Sequence, residues 1–255
     1  MILMKKSMPL AYGPVTSRRF GLSLGVNPLG ASKVCSFDCR YCDLGPSLLT
    51  MNKIRKEIVF PVRHDIVEAV RQMLRKNHEE LSAITFSGNG EPTLHPEFEE
   101  LVDDILVARA EIAPHAKMVV LTNGAHLDSK KVLSGMNKFD IRIVKLDAGS
   151  EKIMKSLNAP LVRRNLSQLI ADFKKLNNCI IQGMFVKGPV DNTAPADIDE
   201  WVELIGMIKP MGVQLMTVSR PPADKSVQAV DEDLLYSIAF KLKKRAQLEA
   251  QIFGP

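Results

Sequence analysis

Val34-Cys35-Ser36-Phe37-Asp38-Cys39-Arg40-Tyr41-Cys42-Asp43 carries three of the chain's four cysteines, at the spacing C-x3-C-x2-C. Thiolates this close can share one site, and soft sulfur ligands select zinc, copper(I) or an iron–sulfur cluster. In a chain without secretory features such a group reads as metal-binding rather than as a disulfide. A structural zinc site needs a fourth ligand to close its tetrahedron. Cys179, His64 and His95 are the available candidates, and none sits at a recognisable spacing. Cys179, at the start of a strand much further along, reads better as a small buried apolar residue. Three thiols without a fourth are what a 4Fe-4S cluster uses when one iron stays open for another ligand.

Around this loop, strand-like and helix-like segments alternate. Short runs rich in Val, Ile, Leu and Phe predict strands at Leu22–Val26, Ala83–Phe86, Lys117–Leu121, Ile141–Leu146, Ile180–Val186 and Val213–Val218. Between them, Asp65–Lys76 places Ile66, Val67, Val70 and Leu74 at helical spacing. Glu97–Ala110 does the same with Phe98, Leu101, Val102, Ile105 and Leu106. Further helices are predicted at Ser129–Met136, Arg164–Lys175, Pro195–Ile208 and Glu232–Glu249. Such alternation implies right-handed βαβ units and a parallel sheet. Six units fall short of the eight of a closed barrel. The expected fold is α/β, a partial (β/α)6 TIM-like barrel, with its site at the carboxyl ends of the strands. One domain spans 1–255, with the cysteine loop at 29–45.

Several polar residues fall at those strand ends. Ala83–Phe86 runs into Ser87-Gly88-Asn89-Gly90-Glu91-Pro92-Thr93. Its glycines let the backbone turn sharply and approach a ligand closely. A carboxylate there can accept a charge-assisted hydrogen bond from an ammonium group; taken alone, the run also reads as a plain turn. Leu121-Thr122-Asn123-Gly124 is either an Asn-Gly turn or a strand end that turns Thr122 and Asn123 toward the site. In Ile141–Asp147, alternation sets Ile143, Lys145 and Asp147 on one face and Val144 and Leu146 on the other. A lysine and an acid together are costly to bury without a purpose. They are either functional contacts or a structural ion pair. Gln182, among Ile180, Ile181, Met184 and Phe185, bonds either a cofactor or substrate or a barrel neighbour.

Taken together, the cysteine loop and these strand ends resemble the radical S-adenosylmethionine superfamily. The resemblance implies that Cys35, Cys39 and Cys42 ligate a 4Fe-4S cluster whose open iron is chelated by the amino and carboxylate groups of S-adenosylmethionine. In that superfamily one-electron reduction cleaves the sulfonium to methionine and a 5′-deoxyadenosyl radical, which abstracts hydrogen from a substrate. Tyr41 then lies near the adenine. The Gly88–Glu91 turn is similar to the superfamily's Gly-Gly-Glu motif, which holds the methionine amino group. Asn89 replaces the first glycine, Gly90 matches the second and Glu91 the acid. Lys145 and Asp147 are the catalytic candidates. Asn123, Asp147 and Gln182 are further cofactor contacts. The reductant implied is an external flavodoxin or ferredoxin.

The opening Tyr12-Gly13-Pro14-Val15-Thr16-Ser17-Arg18-Arg19-Phe20-Gly21, with Leu22–Val26 after it, is similar to iron–sulfur oxidoreductases of the wyosine-base synthase type, as is Thr217-Val218-Ser219-Arg220-Pro221-Pro222. The resemblance extends over about residues 12 to 225. Arg18, Arg19 and Arg220 offer planar cations to a carboxylate or phosphate; for the adjacent pair the alternative is a surface basic patch. Wyosine-base synthases hold a second cluster on cysteines upstream of the radical motif. This sequence has no cysteine before Cys35.

Composition bounds the rest. With 255 residues, 45% hydrophobic and 25% charged, the chain is neither disordered nor collagen-like. Its net charge of +5 favours an anionic partner such as tRNA. In the helix predicted at 232–249, Lys241, Lys243, Lys244 and Arg245 either complement the helix dipole or touch nucleic acid. No apolar run approaches the roughly 18 residues of a membrane span, and Met1–Pro9 lacks the apolar stretch of a signal peptide. A cytoplasmic protein without a membrane partner is expected. Three substrate readings stand: RNA base modification, activation of a glycyl-radical enzyme, and a non-catalytic metal-binding module for nucleic acid.

Overall fold

The computed structural model describes residues 8–48 and 58–254. The signal-peptide reading rests largely on Met1–Ser7, outside the described residues. The chain groups into two compact units, each assembled from separate stretches of sequence.

The first unit takes Met1–Cys35, Leu48–Thr122 and Asp128–Arg142. Its strands β1 (Ala11–Ser17), β2 (Gly21–Val26), β3 (Ala83–Phe86) and β4 (Lys117–Thr122) lie side by side in that order. β1 runs antiparallel to β2, while β2, β3 and β4 are parallel. Helices α1 (Arg63–Asn77), α2 (Phe98–Ile112) and α3 (Lys130–Asn137) complete the βα alternation. The stripe Ile66, Val67, Val70 and Leu74 is buried along α1, as its spacing requires. In α2, Ala108 takes the buried place expected of Leu106. Phe86, Phe98 and Phe139 meet at centroid distances of 5.0–6.3 Å and close this core.

β1 is an addition to the predicted elements. Its Gly13-Pro14 pair reads as a turn, yet the strand pairs only with β2 and tolerates proline at a register irregularity between Tyr12 and Val15. The Tyr12 ring lies flat on Gly25, where a Cβ would meet it at 2.1 Å. Its hydroxyl reaches Ser87 Oγ at 2.8 Å. The hairpin tip, with Arg18 and Arg19, therefore sits at the amino end of β2, opposite the end from which the cysteine loop departs.

The second unit takes Ser36–Ser47, Asn123–Leu127 and Ile143–Pro255. Its strands follow the order β5 (Ile141–Lys145), β6 (Cys179–Met184), β8 (Gly212–Met216) and β10 (Ala250–Phe253). β6, β8 and β10 are parallel. Helices α4 (Glu151–Asn158), α5 (Leu166–Phe173), α6 (Pro195–Ile208) and α7 (Glu232–Ala246) link them. A short antiparallel pair, β7 (Val186–Lys187) with β9 (Gln228–Ala229), stands apart. Trp201 of α6 is fully buried against Phe185, and its indole N–H donates to Leu146 O at 2.8 Å. Helix α7 ends at Ala246, short of the predicted 249, because Gln247 turns left-handed and the chain re-enters the sheet as β10.

The basic run of α7 is engaged within the unit. Lys241 and Arg245 both pair with Asp199, Lys243 pairs with Glu249, and Lys244 lies over the Phe240 ring. These pairings fit the helix-face alternative. Among the described residues no helix is long and apolar enough to cross a membrane.

Candidate functional site

The cysteine loop of the second unit is held by a helix that sequence patterning overlooked. Helix α4 ends in orphan carbonyls, as every helix does, and the loop's own amides satisfy them. Asp38 N donates to Asn158 O at 3.0 Å, and Arg40 N donates to Leu157 O at 2.9 Å. Leu161 N returns the favour to Ser36 O at 2.8 Å. Asn123, placed after β4, pairs its side chain with Ser36 at 3.0 Å and turns its own backbone through Ala125 N. It thus anchors the loop's entry. At the loop's far side, Ala223 N donates to Cys42 O at 3.2 Å and Arg220 pairs with Asp43 at 3.2 Å.

Behind the loop stands Asp147, 2% exposed, just past the end of β5. One oxygen accepts from the Tyr41 hydroxyl and from Asn158 Nδ2, the latter at 2.6 Å. The other accepts from Met184 N at 2.8 Å and lies 3.0 Å from Lys145 Nζ. Both oxygens are therefore engaged inside the protein, and the Lys145–Asp147 ion pair raised as an alternative on sequence is present. Lys145 also sits over the Tyr41 ring at 5.3 Å. Asn158 Nδ2 additionally donates to Cys39 Sγ at 3.4 Å. Burial first, and Asp147 second, push the Cys39 thiol up to about 11. The same two causes hold the Tyr41 hydroxyl well above its usual range.

The first unit carries the Gly-rich turn. Val34 N donates to Asn89 O at 2.8 Å and Glu91 N donates to Val34 O at 2.9 Å, so the turn is stitched to the residue preceding Cys35. Gly90 (φ +131°) makes this approach possible: a Cβ there would lie 1.9 Å from Val34 O. Gly88 faces Asn27, where a Cβ would lie 2.5 Å from Oδ1, and Asn89 Nδ2 donates to Gly30 O at 2.7 Å. Glu91, 2% exposed, accepts at Oε1 from Thr93 Oγ1 and Thr122 Oγ1, both at 2.6 Å. Thr122 thus belongs to the Glu91 cluster, whereas Asn123 serves the cysteine loop.

Other candidates land elsewhere. Gln182 is buried and donates to Gln214 Oε1 at 2.8 Å, the barrel-neighbour alternative. Cys179 is buried at the amino end of β6, away from Asp147 and Met184 at the carboxyl end. His64 is exposed on α1. His95 is committed at both nitrogens: Nε2 meets Pro61 O at 3.1 Å and Nδ1 accepts from Glu97 N at 3.2 Å. Burial holds its pKa below the ordinary 6.5. Unfolding releases that restraint, so its contribution to stability is full above pH 6.5 and is lost as pH falls toward the lower folded value. The melting temperature is expected to drop between pH 7 and 5, with a shallower drop in His95→Gln. Equal slopes in the two proteins would refute this.

Thiols alone, in one short loop with an amide N–H aimed at a sulfur, fit an iron–sulfur cluster by donor chemistry. Among the described residues no three His, Cys, Asp or Glu side chains converge as ligands of a single ion. Cysteines of a 4Fe-4S cube bind separate irons and need not converge. Lys145 Nζ, paired with Asp147 on one side, has further N–H bonds that fit an anionic oxygen of a second ligand.

Comparison with known proteins agrees. The Radical SAM superfamily profile matches residues 31–202. The UPF0026 protein slr1464 of Synechocystis sp. is 30% identical over 86% of this chain and 78% of its own length. A UPF0026 protein of Helicobacter pylori J99 is 27% identical over 97% and 80%. Three solved structures share the fold. They are a radical SAM methyltransferase from Sphaerobacter thermophilus (TM-score 0.68, 18% identity, 91% of this chain and 66% of that one); Streptococcus suis SuiB bound to S-adenosylmethionine (0.64, 17%, 92% and 51%); and TYW1 with a lysine–pyruvate adduct bound (0.61, 15%, 88% and 74%). The chain thus spans between half and three quarters of those proteins. The expected α/β fold of the partial-barrel type is the one these matches show. The chain belongs to the Radical SAM superfamily of enzymes, whose cofactors are a 4Fe-4S cluster and S-adenosylmethionine, and within it to the UPF0026 proteins.

Proposed function

We propose that this enzyme reductively cleaves S-adenosylmethionine to begin hydrogen abstraction from an RNA base. The observation that carries the first half is the cysteine loop, with its backbone capping α4 and its Cys39 sulfur receiving a hydrogen bond from Asn158. When bound, the cluster and S-adenosylmethionine supply one-electron reduction and a 5′-deoxyadenosyl radical. The protein's own side chains do the positioning. Cys35, Cys39 and Cys42 are the ligands, and Tyr41 packs at the adenine side. Gly88, Asn89 and Gly90 shape the turn that presents Glu91 to the methionine amino group, with Thr93 and Thr122 fixing the carboxylate. Lys145 offers unused N–H bonds to a carboxylate of cofactor or substrate. Asp147, both of whose oxygens are engaged by protein groups, orients Lys145 and Tyr41. An external flavodoxin or ferredoxin supplies the electron.

Support for RNA comes from the net charge of +5, from the wyosine-base synthase likeness of Tyr12–Val26, and from the structural likeness to TYW1. Arg220, exposed beside Asp43, is the rim cation best placed for a phosphate.

The test is anaerobic reconstitution, reduction, addition of S-adenosylmethionine and chromatography of 5′-deoxyadenosine, with and without bulk tRNA. Product that rises with tRNA, and tRNA affinity that falls steeply with salt, are expected. A flat salt response with no stimulation rejects RNA as substrate. Zinc in place of iron and labile sulfide rejects the enzyme reading altogether. A stable organic radical appearing on a partner protein would favour the glycyl-radical reading instead.

A further inference from the structure

Asn158 entered none of the motifs, yet it touches Asp147, Cys39 and Asp38 at once. It is the last residue of α4 and is 4% exposed. Its Nδ2 lies 2.6 Å from Asp147 Oδ2 and 3.4 Å from Cys39 Sγ. A primary amide has two N–H bonds, one for each acceptor. The carboxylate also fixes which way the amide points, since turning it over would set oxygen against oxygen. Asp147 is itself immobilised by Met184 N, the Tyr41 hydroxyl and Lys145. Meanwhile Asn158 O accepts from Asp38 N, one residue before Cys39. Backbone and side chain of one residue thus secure the middle cysteine, and the donor is aimed by a buried network rather than by solvent.

We propose that Asn158 is a positioning residue that raises the reduction potential of the cluster by donating an N–H bond to the Cys39 sulfur. The inference rests on the reading of the cysteine loop as a 4Fe-4S site. A donor on a ligating sulfur stabilises the more negative, reduced state more than the oxidised one. Its effect here is enlarged because the donor itself is shielded: Asn158 is 4% exposed. The electron comes from the external low-potential protein already named, and Asn158 lowers the demand on that donor without touching substrate.

The experiment is a dye-mediated potentiometric titration of the reconstituted cluster, followed by electron paramagnetic resonance. It compares the natural protein with Asn158→Leu, Asn158→Ser and Asn158→His, alongside iron and sulfide content and melting temperature. Leucine removes the donor at similar size, and serine is too short to reach the sulfur should leucine fail to fold. Histidine retains an N–H. The expected result is full iron content with a midpoint displaced to more negative potential in the leucine and serine variants, and an intermediate value for histidine. Unchanged midpoints with full iron overturn the inference and leave the cluster assignment standing. Loss of iron from both the leucine and serine variants also overturns it, in favour of a purely structural role. Zinc in the natural protein overturns the cluster assignment and the inference together.

Discussion

Cys39→Ala is expected to abolish 5′-deoxyadenosine formation and to strip iron from the reconstituted protein, while Cys179→Ala leaves both close to the natural level. The contrast follows from where the two thiols sit. Cys39 lies in the segment whose amides cap α4, and its sulfur faces Asn158 and the buried Asp147. Burial beside a carboxylate disfavours a free thiolate, which is why its pKa rises to about 11. A bound metal centre reverses that balance, because coordination deprotonates a thiol outright. Removing the sulfur removes the one reason to hold charge there, and the remaining two ligands cannot compensate. Cys179 is 4% exposed at the opposite end of β6, where it fills space as a small apolar residue. Its truncation to alanine costs about 1 kcal/mol of packing, a modest shift in melting with no loss of iron. Iron retained in Cys39→Ala, or lost in Cys179→Ala, would refute the ligand assignment.

Six of the strands were legible because each is a short, doubly buried apolar run, bounded by helices whose stripes repeat at the helical period. What escaped did so for identifiable reasons. β1 contains Gly13-Pro14, and local propensity gives no hint that Tyr12 finds its place on Gly25, which is a tertiary contact. β10 is four residues long and follows directly on a helix whose charged C-terminal run masked its end. Helix α4 is only eight residues, too short for a window average. Ser150 at its N-cap and the buried trio Ile153, Met154 and Leu157 were nonetheless signals available in the sequence.

The site divides along the same line. Motif residues landed at strand carboxyl ends within their units, since alternation and chain order dictate that placement. Partners could not be read, because hydrogen bonds are made between segments distant in sequence. Thr122 and Asn123 are adjacent, yet one serves Glu91 and the other Ser36. Lys145 and Asp147 share a face as expected, but only the structure reveals that Met184 N and Asn158 have already taken the carboxylate. Asn158 itself carries no motif. Its importance comes from ending a helix at the cysteine loop, a fact about packing and not about spacing. Arg18 and Arg19 show the converse: a segment that resembles a functional one forms a hairpin tip at the amino end of β2, a placement that the strand β1 dictates and local propensity does not.

Gly90→Ala should be the most damaging single methyl group in the first unit. Glycine is required twice over at this position. Its φ of +131° lies where a side chain is strained in any surroundings, and the added Cβ would fall 1.9 Å from Val34 O and 2.5 Å from Val34 C. Backbone cannot rotate aside as a flexible side chain does, so the bridge between Val34 and Gly90 must open. Two hydrogen bonds go with it, Val34 N to Asn89 O and Glu91 N to Val34 O. Strain of about 1–3 kcal/mol together with the lost bonds at about 1 kcal/mol each predicts a destabilisation of roughly 3–5 kcal/mol. At this chain length that is a fall in melting temperature on the order of 10 °C. The functional loss should exceed the loss in stability, since Val34 leads directly into Cys35 and the displaced turn carries Glu91. Gly88→Ala is the internal control. Its Cβ would meet the Asn27 side chain, at 2.5 Å from Oδ1 and 2.8 Å from Cβ, rather than backbone, and its own backbone is not in the left-handed region. It should melt above Gly90→Ala and keep more iron. Thermal melting with iron analysis of the two variants decides the matter, and a Gly90→Ala protein with natural melting and full iron would show that the turn does not brace Val34 ahead of Cys35.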